Sequence, residues 1–232
     1  MHFQHAGEIW RDFPELVPGV LLAEGISADA PADASIAKFT ALARSRLAEA
    51  PESELPEIQA WRRTFARMGL KPTQYRCAAE SLLRRFRKEG ALPRLHPLVD
   101  LCNAVSLAFA IPVAVFDVSK ITGALEVRYA AGDEDYLTFS GEVEHPAAHE
   151  VIFCDEAAQA HARRWSNRQS GLSAVRNPTV TALVVAEAMH ASAPADMTEL
   201  TTALAGEVGA LWGRPPAVTV LSHSSPRFTF GP

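Results

Sequence analysis

The chain has 232 residues, of which 48% are hydrophobic and 21% charged, and a formal net charge of −5. That composition supplies a core and excludes a globally disordered polymer. The three scattered cysteines, Cys77, Cys102 and Cys154, include no CxxC pair, which excludes a disulfide scaffold and fits a reducing, cytoplasmic compartment.

Glu8, Arg11 and Asp12 stand too early for a signal peptide, and no apolar run reaches the ~18 residues a membrane span needs. A soluble protein with no membrane partner is expected. The first 20 residues mix apolar and charged types around Pro14 and Pro18. Residues 20–26 (VLLAEGI) read as a strand, and 27–33 as a loop. Ile36, Phe39, Ala43 and Leu47 recur at helical spacing, predicting a helix over 35–48 with Asp33 as its cap. Pro56 is placed to start a second helix, whose apolar stripe is Ile58, Trp61, Phe65 and Met68 and whose C-cap is Gly69. Residues 74–88 predict a third helix, with Ala78, Leu82 and Phe86 on one side, closed by Gly90.

The stretch 93–117, PRLHPLVDLCNAVSLAFAIPVAVFD, predicts a buried helix over 96–109 and, after the Pro112 turn, a buried strand over 112–118. Asp100 and Asn103 sit inside that apolar run. Each either braces local backbone or lines a pocket, because a buried polar group without a partner costs about 1–3 kcal/mol. Short strands follow at 125–130, 136–139 and 151–153, with turns at Gly123, Gly132-Asp133 and Gly141. Residues 159–165 fit strand or helix equally, and 166–178 read as loop. TVTALVVAEA (179–188) predicts a buried strand carrying one charge, Glu187; a helix over 195–212 and a strand over 218–221 complete the chain. Helices in the first half and a mainly antiparallel sheet system in the second make an α+β pattern, expected as one domain over 1–232.

Charge is distributed unevenly. Between Arg62 and Arg94 ten Lys or Arg face two acids, and between Arg163 and Arg176 four Arg face none, so the remainder is strongly acidic. This permits a basic face that steers a polyanion, or solvated helix faces. Glycine-rich phosphate loops, GxSxG, HExxH and GxGxxG are all absent. His145, His149 and Glu150 are separated by Pro146, which prevents the helix that would align them, so no metal and no cofactor is assigned. Cys102 lies in an apolar run where burial disfavours the thiolate.

The stretch VDLCNAV…LAFAIPVAVFD resembles the segment VDxxNxxxxxxxxPxxxFD of the B3/B4 domain in the bacterial phenylalanyl-tRNA synthetase β subunit. Free-standing B3/B4-domain proteins are similar more widely: in Trp61-Arg62, in Gly69 to Pro72, in Arg76 with Glu80 to Arg85, and in Leu98 to Asp100 with Asn103. Pro112, Asp117, Arg164-Trp165, Asn167-Arg168 and Thr181 to Glu187 extend the similarity. It runs over roughly 58–190, with the segments 1–57 and 195–232 packed onto it.

The resemblance implies a three-layer β/β/α fold and a site that hydrolyses the ester of a mischarged tRNA. It implies Glu187 and Asn103 as pocket and catalytic residues facing each other across one cleft. Arg76, Glu80, Arg164, Trp165, Asn167, Arg168 and Ala114 are implied as substrate- or tRNA-contacting positions, with Trp165 stacking on the terminal adenine. The 3′ end of a tRNA is the implied partner, met by the 62–94 segment and by Arg163 to Arg176, and a monomer is expected. The sequence departs from the synthetase at Ala114, where that domain has histidine, and at 163–169 (RRWSNRQ), where it has a glycine-rich loop. Two readings therefore stand beside the deacylase acting in trans: a non-catalytic module for tRNA, aminoacyl-adenosine or an amino acid, and a hydrolase of a free metabolite.

Overall fold

The computed structural model describes residues 1–231. The opening segment is more regular than its composition predicts. It forms β1 (His2–His5), α1 (Gly7–Asp12) and an eight-residue β2 (Val17–Glu24). Helix α2 (Asp33–Glu49) takes Asp33 inside the helix instead of as its cap, and Asp33 pairs with Arg94 at 2.7 Å. Pro56 does start α3 (Pro56–Arg67). Helix α4 (Ala78–Glu89) begins later than the periodicity predicts, because the Cys77 thiol accepts the Glu80 N–H and caps it. Gly90 ends α4 in the left-handed conformation.

Helix α5 (Pro97–Phe109) and β3 (Val113–Asp117) form the predicted helix–turn–strand. Asp100 braces it locally, accepting from the Leu95 N–H and from Arg94 Nε, both at 2.9 Å. Strands β4 (Ala124–Tyr129), β5 (Tyr136–Leu137), β6 (Val143–Glu144), β7 (Val151–Asp155), β8 (Ala160–Arg163) and β9 (Arg168–Gln169) follow. The ambiguous 159–165 segment is thus a strand running into a turn, and the expected loop contains β9. Then come β10 (Thr181–Ala188), α6 (Ala193–Trp212), β11 (Ala217–Val220) and β12 (Arg227–Thr229).

The strands assemble into a six-stranded sheet, β12-β1-β4-β7-β8-β9, a four-stranded sheet, β11-β2-β10-β3, and a β5-β6 ribbon. Apart from the parallel β1–β4 pair, the ladders are antiparallel. Side-chain alternation divides the core. On β10, Ala182, Val184 and Ala186 join α5 and α6, whereas Leu183 and Val185 join the layer between the two sheets. The result is sheet, sheet and helices: the expected α+β arrangement. Gly19 on β2 permits the close approach of α6, since a Cβ there would stand 2.5 Å from Met197 Sδ and 2.6 Å from Thr201 Cγ2. Among the described residues no helix is long and apolar enough to cross a membrane.

Glu187 continues the Leu183, Val185 alternation. It therefore points into the apolar layer between the sheets, near the open edge that β3 gives the four-stranded sheet. That register places the one charge of β10.

Candidate functional site

Glu187 is 3% exposed, so its carboxylate needs partners inside the layer. His5 Nε2, on β1, lies 2.6 Å from its Oε1, and Trp165 Nε1 donates to the same oxygen at 2.9 Å. Trp61 Nε1, on α3, donates to the Glu187 carbonyl at 3.2 Å. The rings also pack edge to face, Trp61 on Trp165 at 5.3 Å and Phe13 on Trp165 at 4.8 Å. Oε2 takes no bond from any described residue. Glu187 lines a cavity of about 60 Å3 together with Ala114, Phe153, Trp165, Ser166 and Gln169 among others. That volume holds a few waters, far below the ~300–1,000 Å3 of a small-molecule site.

The turn between β8 and β9 swings Trp165 into place. Arg164 and Trp165 have φ of 47° and 55°, left-handed values that cost a non-glycine residue about 1–2 kcal/mol. Several bonds hold the turn against that cost. Trp165 N–H donates to Val151 O at 2.7 Å, and Arg164 N–H to Glu150 at 2.9 Å. Asn167 Nδ2 donates to Arg76 O at 2.8 Å, and Ala78 N–H, at the start of α4, donates to Ser166 O at 2.7 Å.

A larger groove adjoins. It has a volume of about 710 Å3 and shares Val113 and Gln169 with the Glu187 cavity. Asn103, Arg176, Asn177 and Phe139 also line it, and Phe139 is 69% exposed. The groove runs along the edge of β3. Glu187 N–H donates to Pro112 O and Asp117 N–H to Ser173 O, and the alternation between those bonds turns the peptide groups of Val113 and Val115 away from β10. Gln169 Nε2 takes the Val115 carbonyl at 2.6 Å.

The sequence-predicted residues fall into distinct places. Glu187, Ala114, Trp165, Asn167 and Arg168 line the small cavity. Asn103 does not face Glu187 across one cleft. It lies in the groove and in a separate cavity between α2 and α5, with β3 between it and Glu187. Trp165 is fully buried, with its ring packed by Phe13 and Trp61 and no face open to stack on an adenine. Glu80 is 1% exposed and held bidentately by Arg62, with Arg76 Nε at 3.4 Å. Arg164 lies over the Tyr75 ring at 4.8 Å, and Arg168 pairs with Glu144 at 3.2 Å.

The basic segments are largely answered within the chain. Arg84 and Arg87 converge on Glu52, a residue 1% exposed, while Arg85 pairs with Glu89 and Arg163 with Glu144 and Glu150. Arg176 is exposed and in no ion pair among the described residues. Glu150 of the rejected metal group is held by Arg163. Burial pushes the Cys102 thiol up and the Cys77 thiol up to about 12, so neither is a nucleophile near neutral pH. Asp155, His161 and Ser173 mimic a hydrolytic triad, with Ser173 Oγ 2.8 Å from His161 Nδ1 and Asp155 Oδ2 3.2 Å from Nε2. All three are sealed and line neither cavity. Asp155 instead organises a turn, accepting from the Thr122, Ala157 and Gln159 N–H groups.

Residue-level reading missed His5 and Phe139 as site residues; it named Gln169 only within the 163–169 departure and Arg176 only as the end of a basic segment implied to meet the tRNA. For His5 a signal existed: period-two alternation in HFQH puts Phe3 and His5 on one face, and both are buried.

Similarity to known proteins falls on the same elements. A family model described as the B3/4 domain matches residues 60–202. The phenylalanine–tRNA ligase β subunit of Legionella pneumophila (strain Lens) is 40% identical over 55 residues, which are 24% of this chain and 7% of that subunit. That of Shewanella oneidensis is 33% identical over 90 residues, 38% of this chain and 11% of the subunit. The chain therefore spans a small fraction of the curated relatives it matches. An N-terminal fragment of the phenylalanyl-tRNA synthetase β subunit from Pyrococcus horikoshii aligns with a TM-score of 0.48 at 8% identity, covering 93% of this chain and 49% of that one. The family match takes in α4, α5, β3, β10 and every residue lining the Glu187 cavity, leaving His5 outside it, and by that match the chain belongs to the B3/4 domain family.

Proposed function

We propose that this protein is an editing-type deacylase that hydrolyses the ester of a mischarged tRNA in trans. One observation carries the reading. A buried carboxylate with one oxygen fixed by His5 and Trp165, and the other without a hydrogen bond from any described residue, lines a water-sized cavity, and that cavity shares a wall with a ligand-sized groove. An aminoacyl ester is already activated, so holding a water and stabilising an oxyanion supply much of the rate. Glu187 Oε2 accepts a hydrogen from the water and turns its lone pair toward the carbonyl. The ester lies at the shared Val113–Gln169 wall, where the outward N–H groups of β3 are donors for the oxyanion. Asn103, in the groove, acts on the substrate and not on Glu187. Arg176 meets the phosphate of the terminal nucleotide, and Phe139 offers it a stacking face.

The test is deacylation across a panel of mischarged tRNAs. The wild type should hydrolyse at least one, and Glu187→Gln should slow that reaction by roughly 10²-fold or more with an unchanged circular dichroism spectrum. No hydrolysis above the uncatalysed rate on any tRNA overturns the reading.

A second reading has its own support: position 114 is Ala, and His5 and Trp165 already occupy Glu187 Oε1. On this reading the groove binds an aminoacyl-adenosine end without chemistry. Tight binding of a non-hydrolysable aminoacyl-adenosine analogue, with no turnover of the matching ester, selects it.

A further inference from the structure

Away from the lining of the Glu187 cavity, three elements bring a second set of polar side chains together. Glu57 is in the first turn of α3, His190 follows β10, and Asp196 is in the first turn of α6. One potential ligand atom from each lies within 4.8 Å of those of the other two. Glu57 and His190 are 8% and 6% exposed. Each also has an atom sealed from solvent with no hydrogen-bond partner, Glu57 Oε2 and His190 Nδ1. An orphaned buried polar atom costs about 1–3 kcal/mol, and here two such atoms belong to one cluster.

The remaining polar contacts leave room for a ligand. Arg46 Nη2 holds Glu57 Oε1 at 2.7 Å and is anchored through Nη1 on Ala108 O at 2.9 Å. Asp196 Oδ2 meets His190 Nε2 at 2.7 Å and accepts from Ser192 Oγ at 2.7 Å, and its Oδ1 has no partner among the described residues. With His190 neutral, the two carboxylates exceed the single guanidinium by one negative charge.

We propose that Glu57, His190 and Asp196 form a site for one divalent cation of the zinc type. One imidazole nitrogen with two carboxylate oxygens is a borderline donor set of the kind Zn2+ takes, and three protein ligands leave a coordination position for water. That position faces the Asp196 side, since its side chain is 31% exposed while those of His190 and Glu57 are 3% and 10% exposed. The ion clamps the start of α3 to the end of β10. Trp61 lies one helical turn after Glu57 and bonds the Glu187 carbonyl, so the clamp connects to the backbone of Glu187 through α3.

The test uses the full chain, stripped with a chelator and then titrated with Zn2+ alone. Expected are one ion bound per chain, a higher melting temperature, and visible absorption bands when Co2+ replaces zinc. Glu57→Gln and His190→Ala should each weaken Zn2+ binding at least tenfold and abolish the melting shift. If His190→Ala fails to fold, Asp196→Asn takes its place, because it keeps hydrogen-bonding groups toward His190 and Ser192 while removing the anion. Absence of stoichiometric uptake overturns the proposal. So does uptake that survives these substitutions, since zinc would then reside on other histidines such as His145 or His149.

Discussion

The Glu187 cavity and the β3-edge groove share the Val113–Gln169 wall, yet they are opposite kinds of site. The cavity is small, lies between two sheets, and is built from side chains whose polar atoms hold one another. The groove is more than ten times larger, borders the outer edge of β3, and presents an exposed arginine and an exposed phenylalanine. Geometry thus separates positioning from binding. The cavity carries one carboxylate with an oxygen fixed by two contacts, and the groove has the size of a small-molecule site. Substitutions in the cavity should therefore change stability and rate, whereas those in the groove should change affinity alone.

The largest effect is expected at Glu187 itself. Glu187→Ala leaves the His5 and Trp165 donors facing an apolar layer, and removing one partner of a buried charged cluster costs about 3–5 kcal/mol. Urea denaturation should show that loss. Glu187→Gln keeps an acceptor oxygen and the shape, so it should cost far less stability while still depressing deacylation. If the two variants are equally destabilised, the carboxylate's charge, and not its volume, holds the layer together.

Trp165→Phe is the next test. It keeps the edge-to-face contacts with Phe13 and Trp61 but removes one donor to Glu187, for an expected loss of roughly 1–3 kcal/mol. Because the same donor fixes Oε1, the deacylation rate should fall more than the stability change explains. A rate that tracks stability alone would make Trp165 a packing residue only.

Acid should expose a third difference. Burial raises the Glu150 carboxyl, but the Arg163 guanidinium and the Arg164 N–H outweigh it and hold the group below its ordinary range. For Asp155, the His161 imidazole and the Thr122 and Gln159 N–H groups likewise outweigh burial. A carboxyl depressed in the folded state contributes stability that is fully present above its unfolded value, near pH 4, and is lost as pH falls through the folded value. The protein should thus be stable at neutral pH and unfold steeply below about pH 4. Glu150→Gln should flatten that dependence by loosening the turn that carries Trp165. If the acid transition of this variant matches the wild type, Glu150 is not the group that ties the turn down.

The sequence made some of this legible and hid the rest for physical reasons. Alternation in TALVVAEA puts Glu187 with Leu183 and Val185, so a buried carboxylate could be read from period two alone, and the motif resemblance marked the same residue. The stripe of Ile58, Trp61 and Phe65 was readable as core and is buried. His5 was not readable as a partner, because it reaches Glu187 from 182 positions away through the β1 strand of the other sheet. The partial neutralisation of the basic segment was hidden for a similar reason. Arg84 and Arg87 are answered by Glu52, an acid in a short turn that looked like a helix terminator yet is buried beneath them. Asn103 follows the motif spacing, but spacing along a helix does not say which side of the β3 edge a side chain serves.

The smallest expected change in stability, and the sharpest test of the comparison, lies at Arg176. It is exposed, pairs with no acid among the described residues, and lines the groove alone among the arginines. Removing a surface cation costs little stability, so Arg176→Ala should melt within the error of the wild type. If it meets a phosphate, the loss should appear as weaker tRNA binding by about tenfold at low salt and a shallower dependence of affinity on salt, by about one counterion. Phe139→Ala should weaken binding through lost stacking, about 1–3 kcal/mol, and leave the salt slope unchanged. The pair thus separates charge from stacking at one mouth of the groove. Should neither variant alter tRNA affinity while Glu187→Gln still abolishes hydrolysis, the nucleotide must approach by another route, and the groove would have to be reassigned to the amino acid.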